Sequence, residues 1–236
     1  MKKILAKILF LTIAFTFMCS CEDETSQDVS KITYYATLEL KGDKVLFWNL
    51  NEEFIEPGYT AEMKGEDVTD MVDINGSVDV TKAGIYELNY SVTNEDGFKT
   101  SQTRTVMVAD PTPSAITSGY WCNTPESSCS NSSSSATYGK PYSIIILQLG
   151  PGVFYISDFL SGWYEQRAGY GSAYAMVGKF KLESDNTITA LESSVAGWGD
   201  SMDALTDGKY DSNTGKIQYK IGYAGVMNFN IELVKE

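Results

Sequence analysis

Histidine is absent from the 236 residues, and arginine occurs only twice, at Arg104 and Arg167. Without an imidazole there is no Ser-His-Asp or Cys-His nucleophile pair and no His-ligated zinc, iron or copper site, which removes most hydrolase and metalloenzyme chemistry. Positive charge is scarce as well: 18 Lys+Arg face 31 Asp+Glu, a net charge of −13. Nucleic acid and anionic membrane surfaces are bound by clustered Lys and Arg, so neither is an expected partner. The apolar stretch Ile8 to Met18 is too short for a membrane span, which needs about 20 apolar residues. What remains is ordinary globular material, 43% hydrophobic and 21% charged, sufficient for one or two domains with their own cores.

Lys2, Lys3 and Lys7 precede that apolar stretch, which meets Cys19, Ser20 and Cys21. A positive start and a short apolar centre read as a secretory signal over residues 1–20. Met18-Cys19-Ser20-Cys21 resembles a bacterial lipobox, with Ser20 the small residue before a lipidated Cys21 and Met18 standing where Leu is usual. The acidic triplet Glu22-Asp23-Glu24 is similar to the surface-export signal of Bacteroidetes-type lipoproteins, which implies lipid anchoring in the outer membrane, facing outward. A solvated acidic run is the alternative reading, in a tether that spans residues 21–31. Cleavage before Cys21 removes three lysines, so the mature charge is 15 − 31 = −16. Two cysteines are then left, Cys122 and Cys129, in a Ser-rich stretch and an oxidising compartment. A bridge closing that short loop would contribute about 2 to 3 kcal/mol; two free thiols are the alternative.

Along the mature chain the hydrophobic period is two, punctuated by Gly, Asn and Asp clusters, so the fold class is all-β. Ile85 to Val92 alternates, with Tyr86, Leu88, Tyr90 and Val92 on one face or its edge, and Asn94-Glu-Asp-Gly97 turns it into a return strand. Pro111 and Pro113 lie in the Pro-rich joint, which divides the chain into 32–110, a linker at 111–118, and 119–236. The series Glu56-Pro57-Gly58-Tyr59, Gly76-Ser77-Val78-Asp79, Ala83-Gly84-Ile85-Tyr86 and Asp96-Gly97 resembles a bacterial Ig-like repeat of surface lipoproteins and adhesins. That resemblance implies an Ig-like β-sandwich without the usual cysteine pair, and no catalytic residues. Tyr210 to Ile217, followed by Tyr223 to Leu233, is similar to the C-terminal β domain paired with such modules. The implied shape is lipocalin-like, an antiparallel barrel-like meander.

Three constellations bear on function. Asp200, Asp203, Asp207 and Asp211 fall within twelve residues, and Asp200, Asp203 and Asp207 would share a face if residues 201–206 formed helical turns, but no calcium-loop spacing is present, and neither a metal nor another cofactor is expected. Asp200, beside Trp198, is the one acid singled out for a glycosidase-type carboxylate pair. Rings among Gly and Ser outside clean strand alternation are candidates for a ligand platform: Trp163, Tyr164, Tyr170 and Trp198, with Arg167 and Asp200 as polar neighbours. Plugging a barrel end, the usual place of aromatics in β proteins, is the other reading of the same rings. The expectation is a non-catalytic surface lipoprotein that binds a glycan or host-surface component. A glycosidase-type enzyme and a structural subunit partnering an outer-membrane protein are the alternatives.

Overall fold

In the computed structural model, residues 32–236 are described. Cys21, the signal segment 1–20 and the tether 21–31 lie outside the described residues. Alternation governs the first domain. β6 (Gly84–Thr93) and β7 (Lys99–Ala109) form a hairpin in which Leu88, Tyr90 and Val92 are buried. Its turn is closed by Asn94, whose side-chain oxygen accepts the N–H groups of Asp96 and Phe98, with Gly97 at φ +86°. β2 (Val45–Asn49) pairs parallel with β7, and β5 (Asp73–Asn75) pairs with β6, completing a four-stranded sheet. A second sheet of β1 (Thr37–Leu40), β3 (Tyr59–Met63) and β4 (Glu66–Asp67) covers its inner face with Ala36, Leu38 and Ala61. Gly76 is required where it stands, because a Cβ there would lie 2.1 Å from the Glu87 carbonyl oxygen.

Arg104 lies on the inward face of β7, opposite Leu88, and is fully buried. Its guanidinium donates to the carbonyls of Asp43, Lys41 and Gly58 and pairs with Glu56 at 3.0 Å. The Glu56-Pro57-Gly58 segment thus closes one edge of the sandwich around a single buried cation. Removing one partner from such a group strands the others without water, at about 3 to 5 kcal/mol.

The second domain is a curled, half-barrel sheet. Its strands are β8 (Gly119–Asn123), β9 (Ser128–Ser130), β10 (Ser135–Thr137), β11 (Ser143–Gly150), β12 (Val153–Ile156), β13 (Met176–Leu182), β14 (Ile188–Val195), β15 (Ala204–Asp211), β16 (Lys216–Tyr223) and β17 (Met227–Lys235). All pairings are antiparallel, running β14-β13-β12-β11-β8-β17-β16-β15, with β9 and then β10 on the β8 side of β17. The two end strands approach at a bridge between Thr187 and Lys209. The interior is filled: Phe154 stacks on Phe180 at 5.2 Å, and Phe159, Tyr219, Phe229 and Leu233 complete a dry core. The lipocalin-like outline therefore encloses side chains.

The condition for aligned aspartates is not met, and the disulfide expectation fails. Residues 201–206 make no helix: β15 begins at Ala204 and bulges between Thr206 and Lys209, with Asp207 at φ +52°. The aspartates are separated accordingly, Asp203 accepting the Gly225 N–H, Asp207 pairing with Lys220 at 2.8 Å and Asp211 accepting the Asn213 N–H. Nor do Cys122 and Cys129 form a bridge; both are free thiols. They face Val234 and Phe229 along the same side of β17. Five residues of strand is about 17 Å, and an odd offset points the two side chains to opposite faces, well beyond the roughly 7 Å a disulfide spans. Burial pushes the Cys129 thiol up to about 11 and raises Cys122 as well, so neither is a ready nucleophile.

The segment joining the domains is packed. Ile116 is buried in the second core, the Asp110 N–H donates to the Gln148 carbonyl, and the Gln148 side chain donates to the Thr112 carbonyl. Met107 and Ala109 on the outer face of β7 bury against Leu147 of β11, flanked by Val45 and Ile145.

Two outcomes are expected. Arg104→Ala should lower stability by about 3 to 5 kcal/mol in chemical denaturation, with Arg104→Lys recovering only part because it lacks the planar fork. Unreduced protein should yield two titratable thiols from Cys122 and Cys129 on unfolding in guanidinium, where a bridge would yield none.

Candidate functional site

The long excursion between β12 and β13 carries most of the candidate rings, and one carboxylate shapes it. Asp158 is fully buried. Oδ1 accepts the N–H groups of Leu160 (2.8 Å) and Met176 (2.9 Å), and Oδ2 accepts that of Gly162 (2.7 Å). Burial raises its carboxyl to about 6, while the three backbone N–H groups pull the other way. Tyr219 and Tyr138 donate their hydroxyls to the carbonyls of Phe159 and Leu160, pinning the same turn from the core side.

From that pivot the chain passes Ser161 and Gly162, both at positive φ, into one wide π-type turn, Trp163–Arg167. Gly162 is obligatory twice over, since a Cβ would also meet the Tyr142 side chain at 2.8 Å. The turn packs Trp163 against Tyr138 (4.8 Å) and Phe229 (5.9 Å), with the Arg167 guanidinium over its ring at 4.1 Å. Tyr164 lies at the centre of a ring cluster: Tyr170 stacks on it at 6.1 Å, Trp198 meets it edge-on at 4.7 Å, and Tyr223 lies 6.2 Å away. Tyr174, from a short 3₁₀ turn, packs against both Tyr170 (5.5 Å) and Trp198 (4.9 Å). The β14–β15 loop supplies Trp198. Gly197 lets it dock, because its N–H donates to the Ala173 carbonyl at 2.6 Å and a Cβ would strike the Tyr174 ring.

Asp200 follows on the same loop and accepts the Tyr223 hydroxyl on both oxygens, at 2.9 and 3.0 Å. Burial and this bond raise the Tyr223 phenol. The six residues singled out in the sequence thus lie in one connected region, in different roles. Trp163 and Tyr164 are half-buried supports that cover the barrel end, Tyr170 (56% exposed) and Trp198 (42%) reach solvent, and Arg167 and Asp200 flank them. Sequence reasoning left out Tyr174 and Tyr223. Tyr223 belongs to the regular inward alternation of β16, where it reads as a core residue. The surface hollows elsewhere, about 290 Å³ over the outer face of β16 and β17 and about 340 Å³ at the domain joint, are not lined by these rings. The cluster is an open platform.

Asp158→Ala would leave three buried N–H groups without acceptors, each costing about 1 to 3 kcal/mol. The expected result is a loss of about 3 kcal/mol or more with a collapse of the near-ultraviolet circular dichroism that the packed rings produce. The folded carboxyl lies above its unfolded value, so its contribution is complete below about pH 4 and lost as pH rises through about 6. The stability difference between wild type and Asp158→Asn should therefore shift against the wild type over that interval.

Among known families, the bacterial surface protein Ig-like domain matches residues 38–108, and a C-terminal-domain family matches residues 110–235. The crystal structure of the lipoprotein BT2262 from Bacteroides thetaiotaomicron shares 51% identity, covering 85% of this chain and 100% of that one, with a TM-score of 0.76. Two Clostridium perfringens ZmpB structures also align. One holds the M60 catalytic domain with CBM51-1 and CBM51-2, at 19% identity over 53% of this chain and 15% of that one, TM-score 0.29. The other holds CBM51-2 with GlcNAc and INT domains, at 15% identity over 84% and 44%, TM-score 0.27. Overlap that slight supports no argument. Comparison with curated proteins gives no match. With both halves matched and a half-identical relative covered from end to end, the chain belongs to the family of that Bacteroides lipoprotein, a bacterial surface Ig-like domain joined to its C-terminal β domain.

Proposed function

We propose that the protein is a non-catalytic lipoprotein, anchored through Cys21 on the outer face of the outer membrane, that binds a glycan on the ring platform of its second domain. The observation that carries this reading is the exposure of Tyr170 and Trp198 on a rigid base of other rings. A sugar's C–H face stacks on an aromatic plane, and rings already locked by neighbours lose little freedom on binding. Asp200 keeps acceptor capacity beyond its bond from Tyr223, and Arg167 offers guanidinium donors at the rim. A glycosidase needs two carboxyl groups facing each other across about 5 to 9.5 Å. Asp200 instead faces a phenol beside an open surface, which favours binding over turnover.

The test is a glycan array followed by calorimetry with Trp198→Ala and Tyr170→Ala, which truncate exposed rings and leave the supports in place. Each should weaken binding about tenfold or more in folded protein, with the melting temperature nearly unchanged for Tyr170→Ala and lowered for Trp198→Ala, whose ring packs on its neighbours. Hydrolysis of a glycan, abolished by Asp200→Asn in folded protein, would overturn the binding reading in favour of an enzyme. Absence of any glycan binding, with an outer-membrane protein co-purifying through this face, would favour the structural-subunit alternative. Palmitate labelling at Cys21 with surface proteolysis of intact cells checks the location independently.

A further inference from the structure

Exposed apolar side chains are normal when scattered, but at one end of the Ig-like domain four are gathered on residues 32–35 and the adjoining hairpin tip. Ile32 (71% exposed), Tyr34, Tyr35 (62%) and Phe98 (50%) lie together there. Tyr35 meets Phe98 at 5.3 Å, and Lys64 lies 5.1 Å over the Tyr34 ring. The segment is clasped to the tip of the β6–β7 hairpin: the Asn94 side chain donates to the Tyr34 carbonyl at 2.7 Å, and the Thr100 hydroxyl to the Ala36 carbonyl at 3.0 Å. These rings are therefore held in place by the fold.

The end in question is the tether end. From Cys21 to this patch runs a tether of eleven residues, 21–31, at most about 38 Å when fully extended. The second domain attaches at the opposite end, where β7 finishes at Ala109, about 33 Å along that strand from Lys99. Charge is balanced locally: Lys64 and Lys99 offset Glu95 and Asp96, in a mature chain of net −16. A neutral, tyrosine-rich apolar rim with lysines at its edge has the composition of a membrane–water interface belt, where aromatic rings lie at headgroup depth and lysine stems reach along them.

We infer that Ile32, Tyr34, Tyr35 and Phe98 form a foot that rests in the headgroup layer of a lipid surface and holds the domain against it. The inference rests on the reading of Cys21 as the lipidated residue. One acyl-anchored cysteine fixes distance alone, whereas a second apolar contact fixes which end faces the bilayer.

The experiment uses full-length lipidated protein in phosphatidylcholine vesicles carrying brominated acyl chains, comparing wild type with Phe98→Trp. The fluorescence added by the introduced indole should be blue-shifted and quenched about twofold or more, while the wild-type signal from Trp48, Trp121, Trp163 and Trp198 is unchanged. Tyr35→Trp repeats the measurement on the neighbouring ring, should the hairpin tip not accept an indole. Protein that floats with the vesicles while both introduced indoles stay unquenched overturns the foot and leaves the anchor intact. Protein that neither carries an acyl chain nor floats refutes the anchor, and the foot with it. A blue shift that grows with protein concentration in the absence of vesicles would identify a second copy of the chain as the occupant and overturn the lipid assignment.

Discussion

The second domain depends on a carboxylate that pairs with no cation among the described residues. Asp158 is buried, and what balances it is three backbone N–H groups drawn from Leu160, Gly162 and Met176. Those donors come from both ends of the excursion between β12 and β13, so one side chain closes a loop of some seventeen residues. Without that closure the turn at Ser161 and Gly162 would have no reason to hold positive φ, and Trp163 and Tyr164 would not be aimed at the barrel end. The platform is thus a consequence of burial chemistry several residues away from any exposed ring.

Arg104 is its counterpart in the first domain. There a buried cation is satisfied chiefly by carbonyls, with Glu56 as one ionic partner. In both domains an ion does what a covalent cross-link would do, Cys122 on β8 and Cys129 on β9 lying too far apart along β17 to supply one. Each gathers main-chain groups from segments that no regular strand pairing joins. Burial without these partners would cost far more than a neutral core residue would, so each ion specifies one arrangement of the loops around it.

Strand alternation made the β6–β7 hairpin and the run from β11 to β17 readable in the sequence, because Leu88-x-Tyr90-x-Val92 and Ile217-x-Tyr219-x-Ile221 leave little choice of face. β8 to β10 were hidden, since Ser, Asn and Cys carry almost no periodic signal and their pairing with β17 is decided by tertiary contacts. The start of β15 was masked by the bulge at Asp207, which breaks the period and resembles turn chemistry. For the platform, rings standing among glycines were visible, while Asp158 was not. A lone Asp after a strand reads as a turn former, and nothing in a single sequence distinguishes it from Asp185, which is one.

The parallel pairing of β2 with β7 has a mechanical meaning. From Ala36 to Asn49 the chain runs alongside β7 in the same direction, joined by Thr100 to Ala36, by Arg104 to Lys41 and Asp43, by Thr105 to Lys44, and then by the β2 ladder up to Ala109. Tension applied between residue 32 and residue 109 pulls these two lines past each other lengthwise. Their bonds would then bear load together instead of opening one at a time like a zipper, and the Arg104 guanidinium spans the seam midway as a rivet. Force reaching the first domain through the packed joint at Met107 and Leu147 would meet resistance first in that seam.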